Sequence, residues 1–110
     1  MRKWLALILL FPFNPATADE KVSAAWYGNE LRGHRTASGE EFNPDGKTVA
    51  HRSLPFGTCL VVGNPRTGRT VVVRVNDRGP FTRGVTLDLS LGAARAIGMR
   101  STQAVTMRRC

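Results

Sequence analysis

The chain has 110 residues and a formal net charge of +8, from 16 Lys and Arg against 8 Asp and Glu. This length leaves room for one domain. The positive charge suits an anionic polymer as a partner. The basic residues are scattered rather than clustered, so a binding patch and an ordinary solvated basic face both remain open.

The first eighteen residues have the pattern of an export signal. Arg2 and Lys3 precede an apolar run at 4–11, and Ala16 and Ala18 form a small-x-small cleavage site. A bilayer span needs roughly 20 apolar residues, so this run is too short to be one. The alternative is a buried N-terminal helix. We expect residues 1–18 to be a signal peptide and residues 19–110 to form the mature domain.

Export predicts a periplasmic or secreted protein. Without Arg2 and Lys3, 14 basic and 8 acidic residues leave a charge of +6. No cysteine stands at the cleavage site, so we expect neither a lipid anchor nor a transmembrane segment in the mature protein.

Short apolar runs separated by Gly, Pro and Asn predict several strands in chain order. Residues 22–27 read as an opening strand, and the polar, turn-rich residues 28–57 as a long excursion over the surface. Residues 58–62 and 70–75 are rich in β-branched side chains and predict two strands of a hairpin, with a loop at 64–68.

The last third of the chain predicts a turn, two strands and a helix. Residues 76–80 form a sharp turn, and residues 85–89 and 104–107 read as strands. Between them Ser90 is placed to cap a short helix that ends at Gly98. A mainly β chain of this size indicates a small barrel, although its strand pairing does not follow from the pattern.

Two cysteines, Cys59 and Cys110, lie in the mature part. In an oxidising compartment an even pair indicates a disulfide first, and a free catalytic thiol is the weaker alternative. The histidines, His34 and His51, lie far apart without a ligand pattern, so we expect no metal and no organic cofactor.

Three polar residues stand where catalytic groups are often found. Glu40 lies in a Gly-bounded loop, His51 precedes a Pro turn, and Asp77 stands at a strand end. Each has a structural alternative: a surface carboxylate for Glu40, a packed histidine for His51, and a turn-stabilising side chain for Asp77.

A series of motifs resembles the rare lipoprotein A family. They are Ala25-Trp26-Tyr27-Gly28, Thr36-Ala37-Ser38-Gly39-Glu40, Ala50-His51-Arg52-Ser53-Leu54-Pro55-Phe56-Gly57, Val73-Arg74-Val75-Asn76-Asp77-Arg78-Gly79-Pro80 and Leu87-Asp88-Leu89-Ser90. They follow the family's order across nearly the whole mature chain. Ala25 departs from the pattern, where the family has Ser.

The resemblance implies a six-stranded double-psi β-barrel with one or two short helices, related to expansins and barwin-like proteins. It implies a monomeric lytic transglycosylase that cleaves the glycan strands of peptidoglycan to 1,6-anhydro ends. Asp77 is then the key catalytic residue, supported by His51 and Glu40.

A lytic enzyme can work with one carboxyl group, because the C6 hydroxyl of the substrate is the nucleophile. Asp77 must then begin protonated, with burial or a neighbouring carboxylate such as Glu40 as the cause. If the guanidinium groups of Arg78 and Arg74 come close to Asp77, they favour its ionised form instead.

Other residues of the motifs are candidates for substrate binding. Trp26 and Tyr27 alternate on a strand, so at most one faces the groove as a sugar platform, and we favour Tyr27. Asn76 and Arg78 are further candidates for contacting the glycan. For Asp88, capping the helix or bracing an arginine is the preferred interpretation.

Two other functions remain open. The same groove fits a non-catalytic, expansin-like protein that binds peptidoglycan or another polysaccharide. A secreted protein whose basic surface binds another protein or nucleic acid is a third possibility, and we do not expect nucleic acid to be the partner.

Overall fold

A computed structural model of the protein describes residues 19–110, so the predicted signal peptide lies outside the described residues. The described chain contains six strands, one α-helix and a single 3-10 turn. The strands are β1 (Glu20–Tyr27), β2 (Thr48–Ala50), β3 (Cys59–Gly63), β4 (Thr70–Asp77), β5 (Leu87–Ser90) and β6 (Gln103–Arg109). The helix α1 is Leu91–Ala96, and the 3-10 turn is Asn29–Leu31.

The six strands close into a barrel with the order β1-β5-β2-β4-β3-β6. The pairs β1–β5 and β2–β4 are parallel, and the other four neighbouring pairs are antiparallel. Parallel neighbours cannot be joined by a tight turn, so long connections cross the barrel between them. The prediction of a six-stranded, mainly β barrel is confirmed.

The core follows from the alternation of apolar and polar residues along the strands. In β4, Val71, Val73 and Val75 point inward and are buried, whereas Val72 and Arg74 point outward and are exposed. The helix α1 packs against the same core. Each fully buried Val or Leu contributes roughly 1.5–3 kcal/mol, so this closed interior is the main source of stability.

The predicted helix is confirmed together with both of its ends. Ser90 Oγ accepts a hydrogen bond from the backbone N–H of Ala93 at 3.3 Å, which caps the first turn. The chain leaves the helix through Gly98, whose φ of +68° favours glycine. The backbone at Asp45 approaches α1 so closely that residue 92 must be a glycine. A Cβ atom there would lie 2.6 Å from the carbonyl oxygen of Asp45.

The structure corrects the prediction that residues 28–57 only cross the surface. This segment contains β2, which is buried and lies between β5 and β4. A strand of three residues is too short to show a period-2 pattern, and its partners are distant in sequence. The predicted strand at 85–89 begins only at Leu87, and β4 continues to Asp77 instead of turning after Val75.

The predicted disulfide between Cys59 and Cys110 is present, with Cα atoms 5.4 Å apart. The backbone N–H of Cys110 also donates to the carbonyl of Cys59 at 3.1 Å. The bond fixes the end of β6 to β3 and closes a loop with a sequence separation of 51 residues. In the chain-entropy model, a disulfide that closes a loop of this length stabilises the folded state by roughly 4 kcal/mol. Among residues 19–110, no helix has both the length and the hydropathy needed to cross a membrane.

Candidate active site

Asp77 ends β4 and presents a half-buried carboxylate on the outside of the barrel. Its Oδ1 atom accepts two backbone hydrogen bonds, both of 2.9 Å, from the N–H groups of Ala37 and Arg78. Its Oδ2 atom accepts one bond of 3.3 Å from the hydroxyl of Tyr27. Within the described chain Asp77 forms no salt bridge. The carboxylate is therefore oriented by neutral donors.

A register shift in the sheet aims Asp77 outward. β2 pairs with β4 through Val49 and Val75, but the next pair is Ala50 with Asp77, so Asn76 is the extra residue of a bulge. A bulge changes the direction in which the following side chains point and is common beside active sites. Asn76 is buried beneath the loop that carries Glu40, and Asp77 is half-buried at the strand end.

Asp88 lies in the same row of the sheet as Asp77. Ala50 pairs with Asp77 on one side and with Asp88 on the other. Directly paired residues share a face of a sheet, so the two carboxylates flank one small alanine side chain. The pattern of the sequence did not reveal this pair, since Asp77 and Asp88 stand on strands that do not pair with each other.

Asp88 is the carboxyl group whose titration is most altered. Burial raises its pKa to about 6, and the negative charges of Asp77 and Glu30 act in the same direction. Its Oδ1 atom is buried and has no hydrogen-bond partner among the described residues. Ser90 caps α1, and Asp88 forms no salt bridge within residues 19–110, so neither structural role expected for Asp88 is observed.

Tyr27 is buried, with its ring stacked on that of Phe42 at a centroid distance of 4.7 Å. Burial raises the pKa of its hydroxyl well above the usual value, and the charges of Asp77 and Asp88 add to that effect. The hydroxyl therefore stays protonated and donates to Asp77. Since the ring is covered, the geometry does not support the expected sugar-stacking platform at Tyr27.

Glu40 forms a two-point salt bridge with Arg74, in which Arg74 Nη2 lies 3.1 Å from Glu40 Oε1 and Arg74 Nη1 contacts Oε2. Asn76 Nδ2 also donates to Oε1, at 3.3 Å. The hydrogen bonds from Arg74 and Asn76 lower the pKa of Glu40. The expectation that Glu40 supplies a negative neighbour to Asp77 is therefore not supported, because an arginine neutralises it.

The Glu40 salt bridge holds a loop over the end of β4. The backbone N–H of Ser38 donates to the carbonyl of Asn76 at 3.2 Å, and that of Ala37 reaches Asp77 Oδ1. Glu40 thus belongs to the structure that positions Asp77. Buried Asn76 is part of the same structure, and its direct contact with substrate stays an untested prediction.

His51 is half-buried, and its ring is fixed by the turn that follows it. Its Nδ1 atom accepts hydrogen bonds from the N–H groups of Ser53 at 3.1 Å and Leu54 at 3.0 Å. Burial lowers the pKa of His51, and the positive charges of Arg52 and Arg78 contribute. The neutral ring then carries its proton on Nε2, which is a hydrogen-bond donor for a ligand.

Arg78 points away from the carboxylate of its neighbour Asp77, as strand alternation predicts. Its guanidinium donates to the carbonyls of His51 at 3.1 Å and Leu54 at 2.8 Å. It also covers the ring of Phe56, at 4.0 Å from the ring centroid. These contacts brace the His51 turn.

Two exposed aromatic side chains near Asp77 were missed in the sequence. Phe56 is 42% exposed beneath Arg78, and Phe81, just after Pro80, is 82% exposed. Their signal was available, since each is a lone aromatic residue in a Pro- and Gly-containing loop, where strand burial does not account for it.

Trp26 faces away from Tyr27, because successive side chains of a strand point to opposite faces. It is 38% exposed and lies beside α1, where its Nε1–H donates to the carbonyl of Arg100 at 2.9 Å. The tertiary structure therefore gathers Asp77, Tyr27, Glu40 and Asn76 in one connected set of hydrogen bonds. It leaves Trp26 outside that set.

Comparison with known proteins agrees with this architecture. Residues 19–108 match the model of a protein family described as lytic transglycolase. The chain belongs to this family. It is 61% identical over 93 residues to a probable endolytic peptidoglycan transglycosylase RlpA from Synechocystis. It is 43% identical over 93 residues to the endolytic peptidoglycan transglycosylase RlpA of Pseudomonas aeruginosa.

This lytic transglycolase domain is only part of those relatives. The matches cover 82% and 84% of the chain but 29% and 27% of the Synechocystis and Pseudomonas proteins, respectively. Among solved structures, the expansin of Clavibacter michiganensis is similar, with a TM-score of 0.68, 24% identity and coverage of 84% of this chain and 50% of that one. That likeness supports the double-psi barrel fold and nothing finer.

Proposed function

We propose that this domain is an endolytic peptidoglycan lytic transglycosylase that cleaves glycan strands outside the cytoplasm, in the periplasm or after secretion. The observation that carries the proposal is the half-buried Asp77 carboxylate, oriented at a strand end by neutral donors and without a salt bridge among the described residues. Membership of the lytic transglycolase family and the activity named for the RlpA relatives support it.

The proposed reaction breaks the bond between C1 of a muramic acid residue and the glycosidic oxygen. Asp77 donates a proton to that oxygen, and the C6 hydroxyl of the same sugar bonds to C1. Asp77 then takes the proton of the hydroxyl, which restores the starting state. No water is consumed, and one product ends in a 1,6-anhydro ring.

The two oxygens of Asp77 suit different tasks in this scheme. Oδ1 already accepts two backbone hydrogen bonds, which fix the plane of the carboxylate. Oδ2 has the single, longer contact with Tyr27 and retains a lone pair for proton exchange. We therefore assign the catalytic proton to Oδ2.

His51 and Asp88 supply the surrounding chemistry in this proposal. The Nε2–H of neutral His51 donates a hydrogen bond to the bound sugar. Asp88, across Ala50, stabilises the positive charge that develops at C1 once its own carboxyl is ionised. The exposed ring of Phe81 offers an apolar face to a sugar next to the cleaved bond.

Digestion of purified glycan strands tests the proposal. The protein is incubated with the strands, and the products are separated and weighed by mass spectrometry for anhydro ends. We expect the wild type to release them and Asp77→Asn to lose roughly 10²–10⁴-fold in rate, the usual contribution of acid–base catalysis. Asp45→Asn, which changes an exposed aspartate of the salt bridge with Arg32, is the matched control.

The results separate the candidate functions. Full product release by Asp77→Asn would show that Asp77 is not the acid/base. A wild type that releases nothing but sediments with cell-wall sacculi would be a non-catalytic binder of the expansin type. Retention on DNA or on a protein partner without retention on sacculi would support the third class.

A further inference from the structure

A second concave site lies beside Trp26 and is separate from the contacts of Asp77. The cavity measures about 380 Å³ and is lined by Trp26, Leu91, Arg95, Gly98, Met99 and Arg100. This volume is in the range of small-molecule sites. None of these residues belongs to the hydrogen-bonded set around Asp77, so the cavity needs its own explanation.

The wall of the cavity includes the partly exposed indole ring of Trp26. Trp26 Nε1–H is satisfied by the carbonyl of Arg100, so the polar atom of the ring is already used. The ring lies close to Gly28, where an added Cβ would lie 3.2 Å from Cζ3 of Trp26. What remains for a ligand is an apolar surface, continued by the side chains of Leu91 and Met99.

Two arginines, Arg95 and Arg100, are among the residues that line the same cavity. Both residues are exposed, and neither forms a salt bridge with any carboxylate in residues 19–110. No acidic residue is among the lining residues. Arginine binds carboxylates through paired hydrogen bonds, so the cavity is charge-complementary to an acid.

We propose that the cavity formed by Trp26, Arg95 and Arg100 is an accessory binding site for an acidic sugar residue. The sugar ring lies on the indole face, and its carboxylate binds the two guanidinium groups. A muramic acid residue with a free lactyl carboxylate and a uronic acid residue share this chemistry. A nucleotide also combines a flat ring with an anion, but membership of a lytic transglycolase family favours a sugar acid.

Binding of defined oligosaccharides tests the site. The probes are a muramic-acid-containing tetrasaccharide, the same compound with its carboxylates esterified, an oligogalacturonide and neutral chitotetraose. An Arg95→Gln/Arg100→Gln double variant should lose roughly tenfold or more in affinity for the two acidic sugars, because charge-assisted hydrogen bonds are removed. Its affinity for the esterified and neutral probes should not change.

Two controls keep the result specific. The double variant Lys21→Gln/Arg66→Gln removes the same charge at exposed positions outside the cavity and should bind all the probes as the wild type does. If both double variants lost the same affinity for the acidic sugars, the effect would come from the overall charge of the protein, and the proposal would be overturned. So would tight binding of a thymidine oligonucleotide at the cavity without binding of either sugar acid.

Nuclear magnetic resonance separates this site from the one at Asp77. Acidic sugars should shift the Trp26 indole signal, assigned with Trp26→Phe, at lower ligand concentration than the amide signals of Ala37 and Arg78. Shifts confined to Ala37 and Arg78 would contradict the accessory site and leave the proposed catalysis at Asp77 intact. If the Trp26 signal shifts in a protein that releases no anhydro product, the accessory site is supported and the proposed catalysis at Asp77 is contradicted.

Discussion

The hydroxyl of Tyr27 donates a hydrogen bond to Asp77 Oδ2 at 3.3 Å, which joins the end of β1 to the end of β4. These strands are not neighbours in the barrel, because β5 and β2 lie between them. The bond therefore spans the row in which Asp88 and Ala50 stand. It places a neutral donor on the oxygen to which we assign proton transfer.

Tyr27→Phe is expected to lower kcat several-fold while KM stays nearly constant. The change removes the hydrogen bond to Asp77 but keeps the ring stacked on Phe42. The free energy of unfolding should fall by about 1 kcal/mol, the usual net value of one hydrogen bond. Steady-state digestion kinetics and urea denaturation measure the two effects. An unchanged kcat would remove Tyr27 from the proposed mechanism.

Glu40→Gln should lower activity to the same extent as Arg74→Gln, since either change breaks the salt bridge that fixes the loop over Asp77. Both side chains are nearly half exposed, at 43% and 48%, so stability should change by only about 0–1 kcal/mol. The double variant should be no worse than either single one. If Glu40→Gln alone lost activity, Glu40 would instead contact the sugar.

Asp88→Asn should change how stability depends on pH. The folded protein holds the proton of Asp88 up to a pKa of about 6, whereas the unfolded chain releases it near the ordinary aspartate value of 3.8. The stabilising contribution of this proton is complete below about pH 4 and is lost as the pH rises through 6.

Asparagine cannot ionise, so Asp88→Asn should gain about 1–2 kcal/mol relative to wild type between pH 4 and pH 7, after allowing for partial exposure. Urea denaturation at both pH values measures the difference. A constant difference between the two proteins across this range would show that the pKa of Asp88 is not raised.

Removing the disulfide should destabilise the barrel by about 2–4 kcal/mol. Cys59→Ser and Cys110→Ser should each have this cost, and the double variant should cost no more, because one bond is lost in every case. Thermal unfolding followed by circular dichroism measures the effect. Activity at low temperature should survive, since the bond joins β3 to the end of β6 and neither cysteine contacts the Asp77 carboxylate.

Features with a local cause could be predicted from the sequence. The β3–β4 hairpin follows from two β-branched runs around the loop 64–68, and α1 follows from Ser90 at its start and Gly98 at its end. The family motifs located Asp77, His51 and Glu40 before any contact was known. Their proposed roles in catalysis remain predictions.

Features that depend on distant pairing could not be predicted in the same way. β2 has only three residues, so it becomes a strand because β4 and β5 supply partners on both sides. The bulge at Asn76 exists only in that pairing, and it decides that Asp77 points outward. The burial of Tyr27 likewise depends on Phe42, which a loop brings over it.

The family, the hairpin and the capped helix could be read from the sequence, because motifs, caps and turns act over a few residues. The disulfide could be predicted because the chain has only two cysteines. Which side chains meet depends instead on the folded barrel. The row that sets Asp77 and Asp88 around Ala50, the arginine that neutralises Glu40 and the cavity beside Trp26 all arise from barrel closure. Closure sets register across strands that are remote in the chain, and register determines which face each side chain occupies.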